Sequence, residues 1–122
     1  MFLGRINKDW RLAAKAIATD ERTAVCIDAD GSAKVYGDYS TTRPYSYAYF
    51  IVSDLAKVPE QFDANKNVIW NVGNKALAVY EIAASVNGGG SFNVNSFSLA
   101  AATGGKAYWW WIDNGVLNKK EQ

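Results

Sequence analysis

At 122 residues the chain is long enough for one ordinary domain with a sizeable core and too short for several. Its 13 basic and 12 acidic residues leave a net charge of +1, which excludes a body that coats nucleic acid in bulk and an acidic mimic of a phosphate backbone. With 49% hydrophobic and 20% charged residues the composition argues against disorder, and no apolar run is long enough to span a membrane.

Residues 8–18 read as an amphipathic helix. Asp9 is a suitable N-cap, and Trp10, Ala13, Ala14 and Ile17 form one apolar stripe. Lys8, Arg11 and Lys15 lie on other faces, either as solvated surface or, with Arg5 and Arg22, as a small anion-binding patch. A hairpin follows. Residues 23–27 have strand composition, 28–32 have turn chemistry with Gly31 free to take positive φ, and 33–36 pair back. Cys26 falls mid-strand among apolar neighbours and reads as a small buried hydrophobe.

Residues 37–46 form a polar loop closed by Arg43-Pro44, and a strand is expected over 45–52. Tyr45, Tyr47 and Tyr49 share one face of it. Such a row is either a stacking platform for bases or sugar rings or a plain cover over a half-buried sheet. Residues 53–58 start like a short capped helix stopped by Pro59, and Phe62 pins the polar connection that follows. Residues 67–72 alternate as a strand does, with Val68, Trp70 and Val72 on one face.

Residues 76–84 are apolar on both faces, as in a covered central strand, although Ala, Leu and Glu also suit a helix. Glu81 is the one charge inside the segment. It is expected near a strand end, in solvent; buried, it would need a partner. Residues 87–91 read as a flexible hairpin loop. Phe92 and Val94 have opposite parity to Phe97 and Leu99, so a bulge or bend is expected near Asn95-Ser96.

The strongest strand is 107–113, between Gly104-Gly105 and Asn114-Gly115. Tyr108, Trp110 and Ile112 point one way, toward a core. Trp109 and Trp111 point the other and need a cover. Asn114-Gly115 suits a type I′ turn, and residues 118–122 read as a polar tail. The fold class expected is α+β, a single mostly antiparallel β-sheet or sandwich of about seven strands with one N-terminal amphipathic helix, in one domain over 1–122.

Catalytic chemistry finds little support. No histidine and one cysteine exclude a Cys/His nucleophile pair and a thiolate or imidazole zinc site. Asp28-Ala29-Asp30-Gly31-Ser32 begins like a calcium loop, but its Gly comes too early and Tyr39 stands where the bidentate Glu belongs. Gly104-Gly105-Lys106 is followed by Ala107 where a phosphate loop needs Ser or Thr. Asp28, Asp30, Asp38, Glu81 and Asp113 offer no carboxylate pair singled out by spacing. Neither an enzyme nor a cofactor is expected. One cysteine and no signal-peptide pattern suggest a reducing, cytoplasmic setting.

Five Trp, within 14% aromatics, exceed what one small core asks for. The first functional expectation is therefore a non-enzymatic interaction protein that self-associates, or docks on a protein partner, through Trp109 and Trp111. Small inhibitors that occupy a larger assembly's surface, including viral ones aimed at bacterial defence, are of this kind. The alternative is a module that stacks nucleotide bases or glycans on Tyr45, Tyr47 and Tyr49, with Arg43 meeting a phosphate and residues 88–90 folding over.

Overall fold

The structure, a computed structural model, describes residues 2–38, 42 and 46–122. One helix, α1 (Phe2–Trp10), precedes the strands β1 (Lys15–Thr19), β2 (Thr23–Ile27), β3 (Ser32–Gly37), β4 (Tyr47–Ser53), β5 (Leu77–Ala83), β6 (Gly89–Asn93), β7 (Lys106–Asp113) and β8 (Val116–Glu121). They form two antiparallel sheets, ordered β1-β4-β5-β7-β8 and β2-β3-β6. The β-rich class and the N-terminal helix stand, but the strands are divided between two sheets. The expected β2–β3 hairpin takes β6 as its third strand, with Ala33 opposite Phe92. The chain falls into two compact units. The first comprises Met1–Ala16, Ile51–Val79 and Tyr108–Gln122, the second Ile17–Phe50 and Tyr80–Ala107.

In the first unit the helix expected over 8–18 is replaced by one that ends at Trp10. Arg11 adopts φ +55°, and the Leu12 N–H reaches back to the Ile6 carbonyl at 3.3 Å. The chain beyond is captured by sheet bonds. The Ala14 N–H donates to Ser53 Oγ at 2.7 Å, and the Ser53 N–H donates to the Ala14 carbonyl at 2.9 Å. These bonds outweigh a short four-residue apolar stripe, although two of its residues are alanines, because so short a helix is marginal without packing. Trp10 is 66% exposed, and Asp9 pairs with Arg5 at 3.5 Å. The helix is held instead by Gly4, whose missing Cβ admits the Phe62 ring, and by buried Asn7, whose Nδ2 donates to the Asp54 carbonyl at 2.9 Å. Phe62 thus pins its segment as expected.

Residues 53–58 do not form a helix. Ser53 closes β4, and Asp54 makes a turn in which its Oδ1 accepts the Ala56 N–H at 2.9 Å. Nor is 67–72 a full strand. Ile69 bridges Gln61 and Trp70 bridges Ile112, but Val72 turns at φ +48°. Glu60 stabilises that turn by accepting the Asn71 and Val72 N–H groups at 2.9 and 2.7 Å. Partial burial pushes the Glu60 carboxyl up, yet these two hydrogen bonds outweigh it and hold the pKa below the ordinary value. A depressed carboxyl contributes stability above its unfolded pKa of about 4.3, and that contribution is lost as pH falls through the lower folded value. Glu60→Gln should therefore flatten the acid limb of stability below about pH 4.5, measured by urea midpoints across pH; an unchanged limb would remove Glu60 from that role.

The β7–β8 hairpin closes through Asn114 (φ +49°) and Gly115 (φ +80°), both in the left-handed region that a type I′ turn requires. Residues 118–121 are therefore strand and not a loose tail. Trp110 pairs with Lys119 and Trp111 with Asn118. Backbone pairing does not need apolar side chains, and edge lysines are a usual guard.

The second unit encloses a core of Ala33, Val35, Ala48, Phe50, Tyr80, Ile82, Ala84 and Phe92. Phe50 and Phe92 stack with centroids 3.9 Å apart, and Phe97 meets both rings edge-on at 6.3 and 4.9 Å. The parity conflict is resolved by a turn rather than a bulge. Phe97 takes φ +47°, its N–H donates to the Asn93 carbonyl at 2.9 Å, and Asn93 Oδ1 accepts the Asn95 and Ser96 N–H groups. The segment at 77–83 is strand, as preferred, and almost wholly buried. Glu81 lies mid-strand and buried rather than solvated at an end. Cys26 is exposed, not buried. On β2 it is Val25 that turns to the core, so Cys26 takes the opposite face, paired with exposed Lys34.

Candidate functional site

Within the first unit the two faces of β7 meet different surroundings. Trp110 and Ile112 line an apolar hollow of about 490 Å3, together with Ile51 and Leu77. Its further walls are Leu3 of α1, Val68, and Gly115 and Leu117 from the β7–β8 turn and β8. Local hydrogen bonds hold these walls. The Trp70 N–H and carbonyl pair with Ile112, and the Gly115 N–H donates to the Val68 carbonyl at 2.8 Å. Asn67 Nδ2 donates to Asn114 Oδ1 at 2.9 Å, fastening the 67–70 segment to the turn. Only Lys66 and Asn67 bring polar side chains to the lining. The volume lies inside the range of small-ligand pockets, roughly 300–1,000 Å3, and the balance of many apolar walls with few polar groups is also theirs.

Trp109, on the other face, is half-buried and carries its own cover. The Lys57 ammonium lies 4.5 Å and that of Lys75 5.8 Å from the ring centroid. Trp111 is likewise half-buried. Of the five indoles, Trp70 is the buried one and Trp10 the exposed one. The aromatic excess therefore surfaces at the end of α1, at Trp10, the first residue of the apolar stripe expected over 8–18.

Tyr47 and Tyr49 belong to the second unit. Their rings are 6.3 Å apart and tilted by 36°. The Tyr49 hydroxyl donates to Asp20 Oδ2 at 3.0 Å, and the same oxygen accepts the Tyr47 N–H at 3.0 Å. Burial, then the Asp20 hydrogen bond and charge, push the Tyr49 pKa well above that of a free phenol. The hydroxyl is thus committed within the chain. Arg43 and Tyr45 lie outside the described residues.

Of residues 88–90, expected in a loop, only Gly88 lies outside a strand. Gly89 and Gly90 belong to β6, and backbone packs against them. A Cβ on Gly89 would strike the Ala83 carbonyl oxygen, and one on Gly104 would come within 2.7 Å of Gly90 Cα. Glycine allows the close approach of backbone here.

Sequence reasoning had placed Trp110 and Ile112 on one inward face and Val68 on the side of its segment shared with Trp70. It missed Leu3, Lys66 and Leu117, and the parity of 107–113 was the one signal pointing at the hollow. Among the described residues no three His, Cys, Asp or Glu side chains are grouped to hold a metal ion, and no helix is long and apolar enough to cross a membrane. No protein-family model, curated protein or solved structure matches the chain.

Proposed function

We propose that the chain is a non-enzymatic binding protein whose ligand seat is the hollow under Trp110. The observation that supports this is a cavity of ligand size with apolar walls and only two polar lining residues. The reading keeps the expected binding role and moves the site from the outer face of β7 to its inner one. A reducing, cytoplasmic setting remains part of it.

Nile red, a neutral apolar dye, should bind with a blue-shifted emission and saturate near one equivalent. Leu117→Asp should weaken that binding by roughly tenfold, because it sets a charge on an apolar rim. Leu117 is exposed on the edge strand β8, so folding should survive, as circular dichroism would show. A dye that binds wild type and variant alike would place the seat elsewhere.

A second reading is favoured by exposed Trp10, Leu12 and Leu55. Their segments run side by side, tied by the Asn7–Asp54 and Ala14–Ser53 hydrogen bonds. Such a surface suits self-association or a protein partner, the inhibitor type of role included. Trp10→Ser should leave the thermal midpoint nearly unchanged and shift a self-associating sample toward monomer, by size-exclusion chromatography with light scattering. A wild-type protein that is already monomeric at high micromolar concentration would count against self-association.

A further inference from the structure

We infer that the hollow's ligand is an amphiphile with one anionic head, an alkyl chain ending in a carboxylate or a comparable acid, and that Lys66 receives the head. The inference rests on the hollow being the binding seat and adds its chemical class. The lining carries a single charged side chain, Lys66.

Four other lysines of this unit are engaged. Lys8 is held by Asp63 at 3.5 Å, Lys57 and Lys75 lie over Trp109, and Lys119 lies over Tyr108 at 4.8 Å. Asp63 is the carboxylate nearest to Lys66 in sequence, and the Lys66 N–H donates to its carbonyl at 3.3 Å, but its carboxylate is turned to Lys8. Among the described residues the Lys66 ammonium has no ion-pair partner. Asn67, its neighbour on the lining, directs Nδ2 to Asn114 and fixes the wall instead of competing for the head.

An uncompensated cation beside apolar walls rewards a ligand that satisfies both together. The chain removes apolar surface from water, and the head meets the Lys66 ammonium at the solvent-exposed rim of the hollow, where a charge-assisted contact orients it and discriminates by sign more than it adds affinity. A neutral apolar ligand would use only the first term, and a cationic one would meet repulsion at Lys66.

The test compares octanoate with octylammonium, ligands of equal chain length and opposite charge, by calorimetry at low salt. Octanoate should bind roughly tenfold tighter. Lys66→Met should bring the two to near parity, Lys66→Arg should keep the preference, and Lys34→Met in the other unit, with the same change in net charge, should leave it intact. Equal binding of both ligands by wild type, or a preference that survives Lys66→Met, would overturn the anionic head while the hollow remains the seat if Nile red binds. Failure of Nile red and both amphiphiles together would remove the seat itself.

Discussion

Trp70→Ala is expected to lower stability by about 3–5 kcal/mol, a large share of the roughly 5–15 kcal/mol that holds an ordinary domain folded. The indole is 1% exposed, so its removal leaves a cavity that the surroundings can only partly close. Its Nε1–H donates to the Lys57 carbonyl at 2.7 Å, and truncation leaves that acceptor without its donor. The backbone of the same residue forms both hydrogen bonds to Ile112, so a loosened Trp70 also loosens a wall of the hollow. Urea unfolding followed by circular dichroism would measure the loss. A change under about 1 kcal/mol would mean that the site collapses without difficulty and that Trp70 is not a keystone of its unit.

Gly105→Ala is expected to cost about 3 kcal/mol by overpacking. A Cβ there would strike the Glu81 carbonyl oxygen and lie 2.7 Å from Tyr80 Cε1 and 2.9 Å from Ile82 Cγ1. Backbone is the first obstacle, so no rotamer change relieves it. Moving residue 105 away would also stretch the bond from its N–H to the Tyr80 hydroxyl, now 3.1 Å. Gly73→Ala is the internal comparison. Gly73 turns at φ +65° but has open space where a Cβ would go, so only backbone strain of about 1 kcal/mol applies. Denaturation midpoints should rank wild type above Gly73→Ala and Gly73→Ala above Gly105→Ala. The reverse order would show that the β5–β7 junction yields more readily than the geometry implies.

Several elements were legible in the amino-acid order because their signals are local. Asp28 to Ser32 has the residues of a tight turn, and the β2–β3 hairpin forms around it. There the Ser32 N–H donates to Asp30 Oδ1 at 2.9 Å, a bond that holds the Asp30 carboxyl below its usual range. Asn114-Gly115 supplies the two positive φ values of a type I′ turn and so sets the β7–β8 register. The aromatic run at 107–113 needed no more than period and composition to be read as a strand, whereas composition left 76–84 open to a helix and the strand pattern around it favoured the strand that forms.

Other elements were not legible, because a distant segment decided them. Residues 11–14 have a helical stripe, but Ser53 captures Ala14, and a residue 39 positions away is invisible to periodicity. Cys26 looked interior because its neighbours are apolar; which face of β2 meets a core depends on the partner strands. Residues 88–90 looked flexible because glycine permits motion. In place, their missing side chains let backbone and neighbouring side chains approach closely.

The candidate site divides along the same line. Strand alternation alone separated Trp110 and Ile112 from Trp109 and Trp111. Long-range pairing then surrounded the first two with Leu3, Ile51, Val68 and Leu117, and brought Lys66 to the lining, while folding laid two lysines over Trp109. The amino-acid order by itself determined the 28–32 and Asn114-Gly115 turns and the strand character and parity of β7, because these follow from backbone preferences over a few residues. Where the helix stops, which side of a strand is covered and which cation is left without a counter-charge were decided only in three dimensions, because each depends on groups that adjoin in space and not along the chain.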